Sequence, residues 1–169
     1  CDWSSDVCSS DLVRCWSNGG SAADLSTSVM ERTLLHADNC YYLPNAEVRG
    51  RVCRTNLPPN TAFRGFGGPQ AVAAIENVVQ EVAGVLGKDA LDVRRVNLYG
   101  RGERDVTPYG QTVDEHLLPE VFDRLAETSG YRRRVEAVEA FNRGHRVRVR
   151  GIAVTGVKFG ISFTTKFLN

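Results

Sequence analysis

Val72, Ile75, Val79, Val82 and Leu86 recur at spacings of three, four, three and four, the apolar stripe of an amphipathic helix that must bury one face. Pro69 stands just ahead of the stripe and Gly87 just past it, the usual punctuation of a helix start and stop. Immediately upstream runs Thr61-Ala62-Phe63-Arg64-Gly65-Phe66-Gly67-Gly68-Pro69-Gln70. The chain therefore enters its most secure helix through a glycine-rich loop, and other elements have to cover the stripe.

Those elements can be read on either side. A capping-box pattern at Ser28-Val29-Met30-Glu31 predicts a short helix carrying Met30 and Leu34 toward Asn39. Between Asn39 and Asn60, Pro44, Gly50, Pro58 and Pro59 break the chain into extended pieces around Val48 and Val52, which predicts one or two strands. After Gly87 a short helix is expected from Asp89 to about Asn97, then a polar loop through Thr107-Pro108-Tyr109-Gly110. Two more helices follow. One carries Leu117, Leu118, Val121, Phe122 and Leu125 to near Gly130; the other carries Val135, Val138 and Phe141 to Gly144. From Val147 the apolar period changes to two, through Val149, Ile152, Val154, Val157, Phe159, Ile161 and Phe163, predicting two strands with a bend at Gly156 or Gly160. The fold class is α+β, with mixed strands and amphipathic helices.

With 169 residues, 42% of them hydrophobic and 24% charged, the chain can bury a real core and is not a disordered tail. No run approaches the roughly 18 apolar residues of a membrane span, and no signal peptide is legible at the start; a cytoplasmic protein is the expectation. The five cysteines, Cys1, Cys8, Cys15, Cys40 and Cys53, have no C-x-x-C spacing, which argues against a disulfide framework or a zinc site. Residues 1–12, CDWSSDVCSSDL, lack both strand alternation and helical spacing. They resemble translated sequencing-adapter read-through and are set apart from residues 13–169, which are expected to form a partial domain truncated at both ends.

On the residues alone, Gly65, Gly67 and Gly68 support two readings. A glycine-rich turn feeding a helix N-terminus can cradle an anionic or oxo group with backbone N–H groups. It can equally be a tight structural turn with Phe63 or Phe66 buried. The spacing fits neither G-x-G-x-x-G nor a Walker loop. By themselves, Arg32 reads as a solvated helix arginine, and Phe66 and Phe163 read as core. His36, His116 and His145 are dispersed helix-end or surface residues without a role. Seven arginines lie between Arg132 and Arg150, opposed only by Glu136 and Glu139; a solvated helix face is favoured there over a nucleic-acid surface, since no recognition motif accompanies them.

The string Arg54-Thr55-Asn56-Leu57-Pro58-Pro59-Asn60-Thr61-Ala62-Phe63-Arg64-Gly65-Phe66-Gly67-Gly68-Pro69-Gln70 closely resembles the xanthine dehydrogenase family of molybdenum hydroxylases. Met30-Glu31-Arg32, Asp38-Asn39-Cys40-Tyr41, Arg94-Arg95-Val96-Asn97-Leu98-Tyr99, Thr107-Pro108-Tyr109-Gly110-Gln111 and Val157-Lys158-Phe159-Gly160-Ile161-Ser162-Phe163-Thr164 agree in the same order. The resemblance covers residues 13–169 and is to a minority of the bacterial, molybdopterin-binding subunit. It implies hydroxylation of purines such as hypoxanthine and xanthine with water as oxygen source. Electrons would pass to Fe–S clusters, FAD and NAD held on the Fe–S/FAD subunit and elsewhere outside the chain.

The resemblance also implies site residues. Arg32 matches the arginine that pairs with a purine carbonyl and stabilises charge developing on the ring, which makes it catalytic as well as substrate-binding. Phe66 and Phe163 match aromatics that close on a flat heterocycle, and Thr164 matches a residue at the substrate edge. Phe63, Arg64 and Gly65 match the wall beside the molybdenum centre, with Arg64 contacting the cofactor through its backbone and no side chain acting as a metal ligand. The family's catalytic glutamate is absent from the chain, so the fragment alone is expected to be inactive, and Glu31 is not a substitute. Two rivals stand beside this reading: an aldehyde oxidase-type hydroxylase, and a non-catalytic binding piece working through its arginine-rich surface. The expected partners are a purine substrate, the rest of the molybdenum subunit and the Fe–S/FAD subunit, with no membrane.

Overall fold

A computed structural model describes residues 11–114 and 116–160. It begins with β1 (Asp11–Gly20), α1 (Ser26–Leu35) and β2 (Ala46–Arg54). The two strands pair in parallel, Val13 against Val48 and Cys15 against Gly50, with an irregularity between Asn18 and Gly20. Parallel neighbours cannot be joined by a tight turn, so α1 serves as the crossover. It lies close on the ribbon, because a Cβ on Gly50 would sit 2.6 Å from the Met30 sulfur. β1 starts two residues inside the segment set apart as foreign. Its Leu12, Arg14 and Trp16 alternate outward with half-buried Val13, Cys15 and Ser17.

The capping-box expectation is corrected. α1 begins at Ser26 after Leu25, with no side-chain cap, so Ser28 lies inside its first turn and cannot cap it. The glycine-entered helix is α2 (Gly68–Leu86), with Pro69 in its first turn and Gly87 at φ 62° closing it. Gly87 N–H and Lys88 N–H donate back to Gly84 O and Ala83 O, a paired closure that needs the left-handed conformation glycine supplies. α3 (Ala90–Asn97) is capped by Asp89, whose carboxylate accepts from Leu91 N–H. α4 (Leu118–Thr128) and α5 (Tyr131–Gly144) complete the helices. Ile75, Val79 and Val82 of α2 form the core with Leu91, Val93, Phe122 and Tyr131.

A polar hub crosses this core. Glu76 on α2 accepts from Arg94 Nε at 2.8 Å, Tyr41 OH at 2.6 Å and Asn39 Nδ2 at 3.0 Å. Asn39 also donates to Gly156 O at 2.9 Å and accepts from Lys158 N–H at 3.1 Å. Lys158 Nζ pairs with Asp38 and donates to Tyr109 OH, while Tyr99 OH donates to Asp38.

The two strands expected from Val147 are not formed among the described residues, where 147–160 carries no strand pairing. The period of two still has a cause. Ile152 and Val154 pack down on the core while Ala153 and Thr155 point out, so the segment is an extended chain seated on helices. Its backbone bonds go to side chains, Asn142 for Arg150 and Asn39 for Gly156 and Lys158.

Candidate functional site

Three segments distant in sequence meet at the C-terminal half of α1: Arg32 itself, the turn at residues 63–68, and the end of the extended segment at Phe159-Gly160. The turn is held by two bonds, Phe66 N–H to Phe63 O at 2.8 Å and Gly68 N–H to Gly65 O at 3.1 Å. Gly65, Phe66 and Gly67 have φ of 93°, 53° and 99° in succession. Positive φ costs glycine little but strains a phenylalanine, and such strain persists where the surroundings over-determine it. Here the determinant is close docking on α1. Thr33 Oγ1 donates to Gly67 O at 3.1 Å, and a Cβ on Gly67 would lie 2.2 Å from Val29 O.

That contact yields a paired prediction. Gly67→Ala introduces a backbone clash and a φ penalty of about 1–3 kcal/mol, and should lower the urea midpoint while exposing the 63–68 amides to exchange. Gly84→Ala, in the same helix with nothing within 4 Å, should instead stabilise by about 1 kcal/mol. Equal effects from the two changes would show that the turn is not docked as described.

Arg32 is not a solvated arginine. Its Nη1 donates to Gly160 O at 3.0 Å, and its Cζ lies 5.1 Å from the Phe159 ring centroid. Phe159 also packs on the turn, since a Cβ on Gly68 would lie 2.6 Å from its ring. Of the two rings, Phe63 or Phe66, that a tight structural turn would bury, Phe63 is 81% exposed. Arg64 beside it is exposed, and Phe66 is half-buried. The structure thus joins Arg32 to the turn that holds Gly65 and Phe66 through the Phe159 ring, with Phe63 and Arg64 of the same turn exposed. Phe163 and Thr164 lie outside the described residues.

His36, read from sequence as a roleless helix-end residue, is a buried member of the same cluster. Its Nδ1 is 2.8 Å from Arg32 O, its Nε2 accepts from Gly160 N–H at 3.2 Å, and its ring lies 5.0 Å from that of Phe159. Burial lowers its pKa, as do the Arg32 and Lys158 charges, against the hydrogen bond to Arg32 O and the Asp38 carboxylate. The available signal was spacing, for residues 32 and 36 share a helix face. Cys40, read as a reduced thiol, is buried and free; burial and the Glu76 charge push its pKa up to about 12. At neutral pH it is no nucleophile.

A cavity of about 910 Å³ lies between β1, α1 and α2, lined by apolar residues including Val13, Met30, Ala71, Ile75 and Val78. Of the turn it takes only Phe63, with Thr33 of α1 and Gln70 of α2 nearby, whereas Arg32 and Phe66 do not line it. Among the described residues no three His, Cys, Asp or Glu side chains converge to hold a metal ion, and no helix is long and apolar enough to cross a membrane. Two of the clustered arginines have internal partners: Arg132 pairs with Asp89 and Asp92, and Arg150 stacks on Phe141 at 3.9 Å.

Residues 12–98 match the molybdopterin cofactor-binding domain family. The chain is 45% identical over 157 residues to a xanthine dehydrogenase of Calliphora vicina, covering 93% of the chain and 12% of that protein. It is 46% identical over 151 residues to the nicotinate hydroxylase hnxS of Emericella nidulans, covering 89% of the chain and 11% of that protein. Among solved structures, the aldehyde oxidoreductase from Desulfovibrio desulfuricans aligns with a TM-score of 0.68 at 26% identity, over 80% of the chain and 14% of that structure. The chain therefore spans about an eighth of the length of the curated relatives it matches.

Proposed function

The chain belongs to the molybdopterin cofactor-binding domain family, and on that premise we propose that it supplies the arginine and the aromatic wall of a xanthine dehydrogenase substrate pocket. The observation that carries this reading is that Arg32 and the glycine turn, with its strained Phe66, pack on the same Phe159 ring beside α1. The xanthine dehydrogenase relative supports the purine assignment. The bacterial type rests on the sequence resemblance alone.

The residues present fit the cofactor. Gly65 and Gly67 supply the positive φ of a turn packed on Pro69 and Val29 at the positive end of a 19-residue helix, and that turn leaves Phe63 and Arg64 exposed beside it. That end suits an anionic or oxo group. When bound, the molybdopterin centre would carry out the oxygen transfer and accept the two electrons.

The chain's own residues bind and orient. Arg32 would donate to a ring carbonyl and hold the negative charge that develops on the heterocycle as an adjacent carbon is attacked. Phe66 would stack on one face, with Phe163 closing from another side and Thr164 at the edge. Phe63, Arg64 and Gly65 would form the wall against the cofactor. The general base would come from outside these residues, as would Fe–S clusters, FAD and the NAD that takes the electrons. The remainder of the molybdenum subunit and an Fe–S/FAD subunit are the partners this requires, in a cytoplasmic enzyme.

The nicotinate hydroxylase and aldehyde oxidoreductase relatives favour a second reading in which the same arginine meets another carbonyl or carboxylate. Assay of the complete enzyme with xanthine, nicotinate and benzaldehyde in ¹⁸O-labelled water separates them. Labelled product from the purine, with slow turnover of the other two, is expected. Turnover of nicotinate or aldehyde without purine would overturn the purine assignment and keep the family.

A further inference from the structure

Both backbone polar groups of Gly160 are taken, by Arg32 of α1 and by His36, which caps its C-terminus. Gly160 N–H donates to His36 Nε2 at 3.2 Å, and Gly160 O accepts from Arg32 Nη1 at 3.0 Å. The other nitrogen of His36 lies 2.8 Å from the Arg32 carbonyl oxygen. An amide N–H can only donate and a carbonyl can only accept, so the ring state is determined: Nδ1 carries the proton and Nε2 carries the lone pair. An imidazolium has no acceptor to offer Gly160.

We infer that His36, as the neutral Nδ1–H tautomer, is a positioning residue that fixes the Gly160 peptide and through it the Arg32 guanidinium. The chain of cause is short. His36 decides where the Gly160 amide sits, the Gly160 carbonyl decides where Arg32 Nη1 sits, and the Phe159 ring between them is held by His36 at 5.0 Å and Arg32 at 5.1 Å. His36 closes the C-terminus of α1, where a ring N–H can take an orphan carbonyl.

Protonation would undo the arrangement. It removes the acceptor for Gly160 and adds a positive charge beside Arg32 on α1 and Lys158 on the extended segment, offset by Asp38 in the turn after α1. The folded state disfavours the charged ring, so the folded pKa lies below the ordinary histidine value of about 6.5. The clamp is therefore complete above that value and is lost as pH falls through the lower folded value.

The inference rests on the proposed role of Arg32 only where it touches catalysis, and two experiments keep the parts distinct. In the 169-residue chain, ring-nitrogen NMR of His36 should show a protonated Nδ1 and a bare Nε2 at neutral pH, with the Gly160 amide shifting as the ring titrates in acid. An Nε2–H tautomer, or a Gly160 amide indifferent to that titration, would overturn the clamp. In the complete enzyme, His36→Asn keeps a donor near Arg32 O but loses the acceptor, and should cut kcat/KM for xanthine by about five- to tenfold. His36→Gln keeps an acceptor near the Nε2 position, and should retain most activity while losing one acid limb of the pH profile. An unchanged profile in His36→Gln would refute the positioning role even with the NMR signature intact. An enzyme that turns over no purine, with that signature present, would instead overturn the reading of Arg32 as a substrate residue.

Discussion

In the complete enzyme, Arg32→Leu is expected to lower kcat/KM for xanthine by about 10²–10³-fold, the usual effect of deleting one preorganised donor from a site of developing charge. The same change should cost benzaldehyde turnover much less, because an aldehyde lacks the ring carbonyl that the guanidinium would hold. That contrast is needed, since Arg32 also donates to Gly160 O and lies against Phe159. A loss of packing would slow both substrates alike; a loss of charge stabilisation would fall on the purine. Arg32→Lys sharpens the distinction. An ammonium keeps the charge but not the planar fork, so it should restore part of the purine rate and little of the geometry. Equal loss on both substrates would assign Arg32 to the fold and remove it from the pocket.

How far the site was legible from sequence depends on the range of each interaction. α2 could be read from Val72 to Leu86 because its signal is a period set by the helix itself, and its ends follow from Pro69 and Gly87. The turn before it was legible as glycine-rich, but not the left-handed Phe66, which sits next to Gly67 where the turn docks on Val29 and Thr33 more than thirty residues upstream. β1 was hidden because a strand of a parallel pair is defined by a partner beyond the crossover helix, and its outward face sets exposed Leu12 and Trp16 beside Arg14, which breaks the apolar-in, polar-out alternation. The Val147–Gly160 stretch shows the reverse error. Its alternation was real, but alternation reports a chain with one buried side and says nothing of whether a neighbouring strand exists.

The largest stability effect is expected at the hub that no local signal marked. Glu76 and Arg94 sit 18 residues apart on α2 and α3, with side chains only 11% and 3% exposed. Glu76→Ala should cost about 3–5 kcal/mol, because it strands a buried guanidinium and takes an acceptor from Tyr41 and Asn39 as well. For a chain of this size that corresponds to a Tm lower by about 6–20 °C. Glu76→Gln should fall between, since the amide keeps one acceptor oxygen and the shape but not the charge. The double change Glu76→Leu with Arg94→Leu should cost less than the sum of the two single changes, the excess being their coupling. Additive costs would mean that the pair contributes no more than two independent polar residues. The consequence reaches the pocket, because Asn39 holds Gly156 and Lys158, two residues before the Gly160 peptide that Arg32 and His36 grip. A hub variant that stays folded should therefore loosen Gly160 first, and the Gly160 amide should gain exchange before the α2 core does.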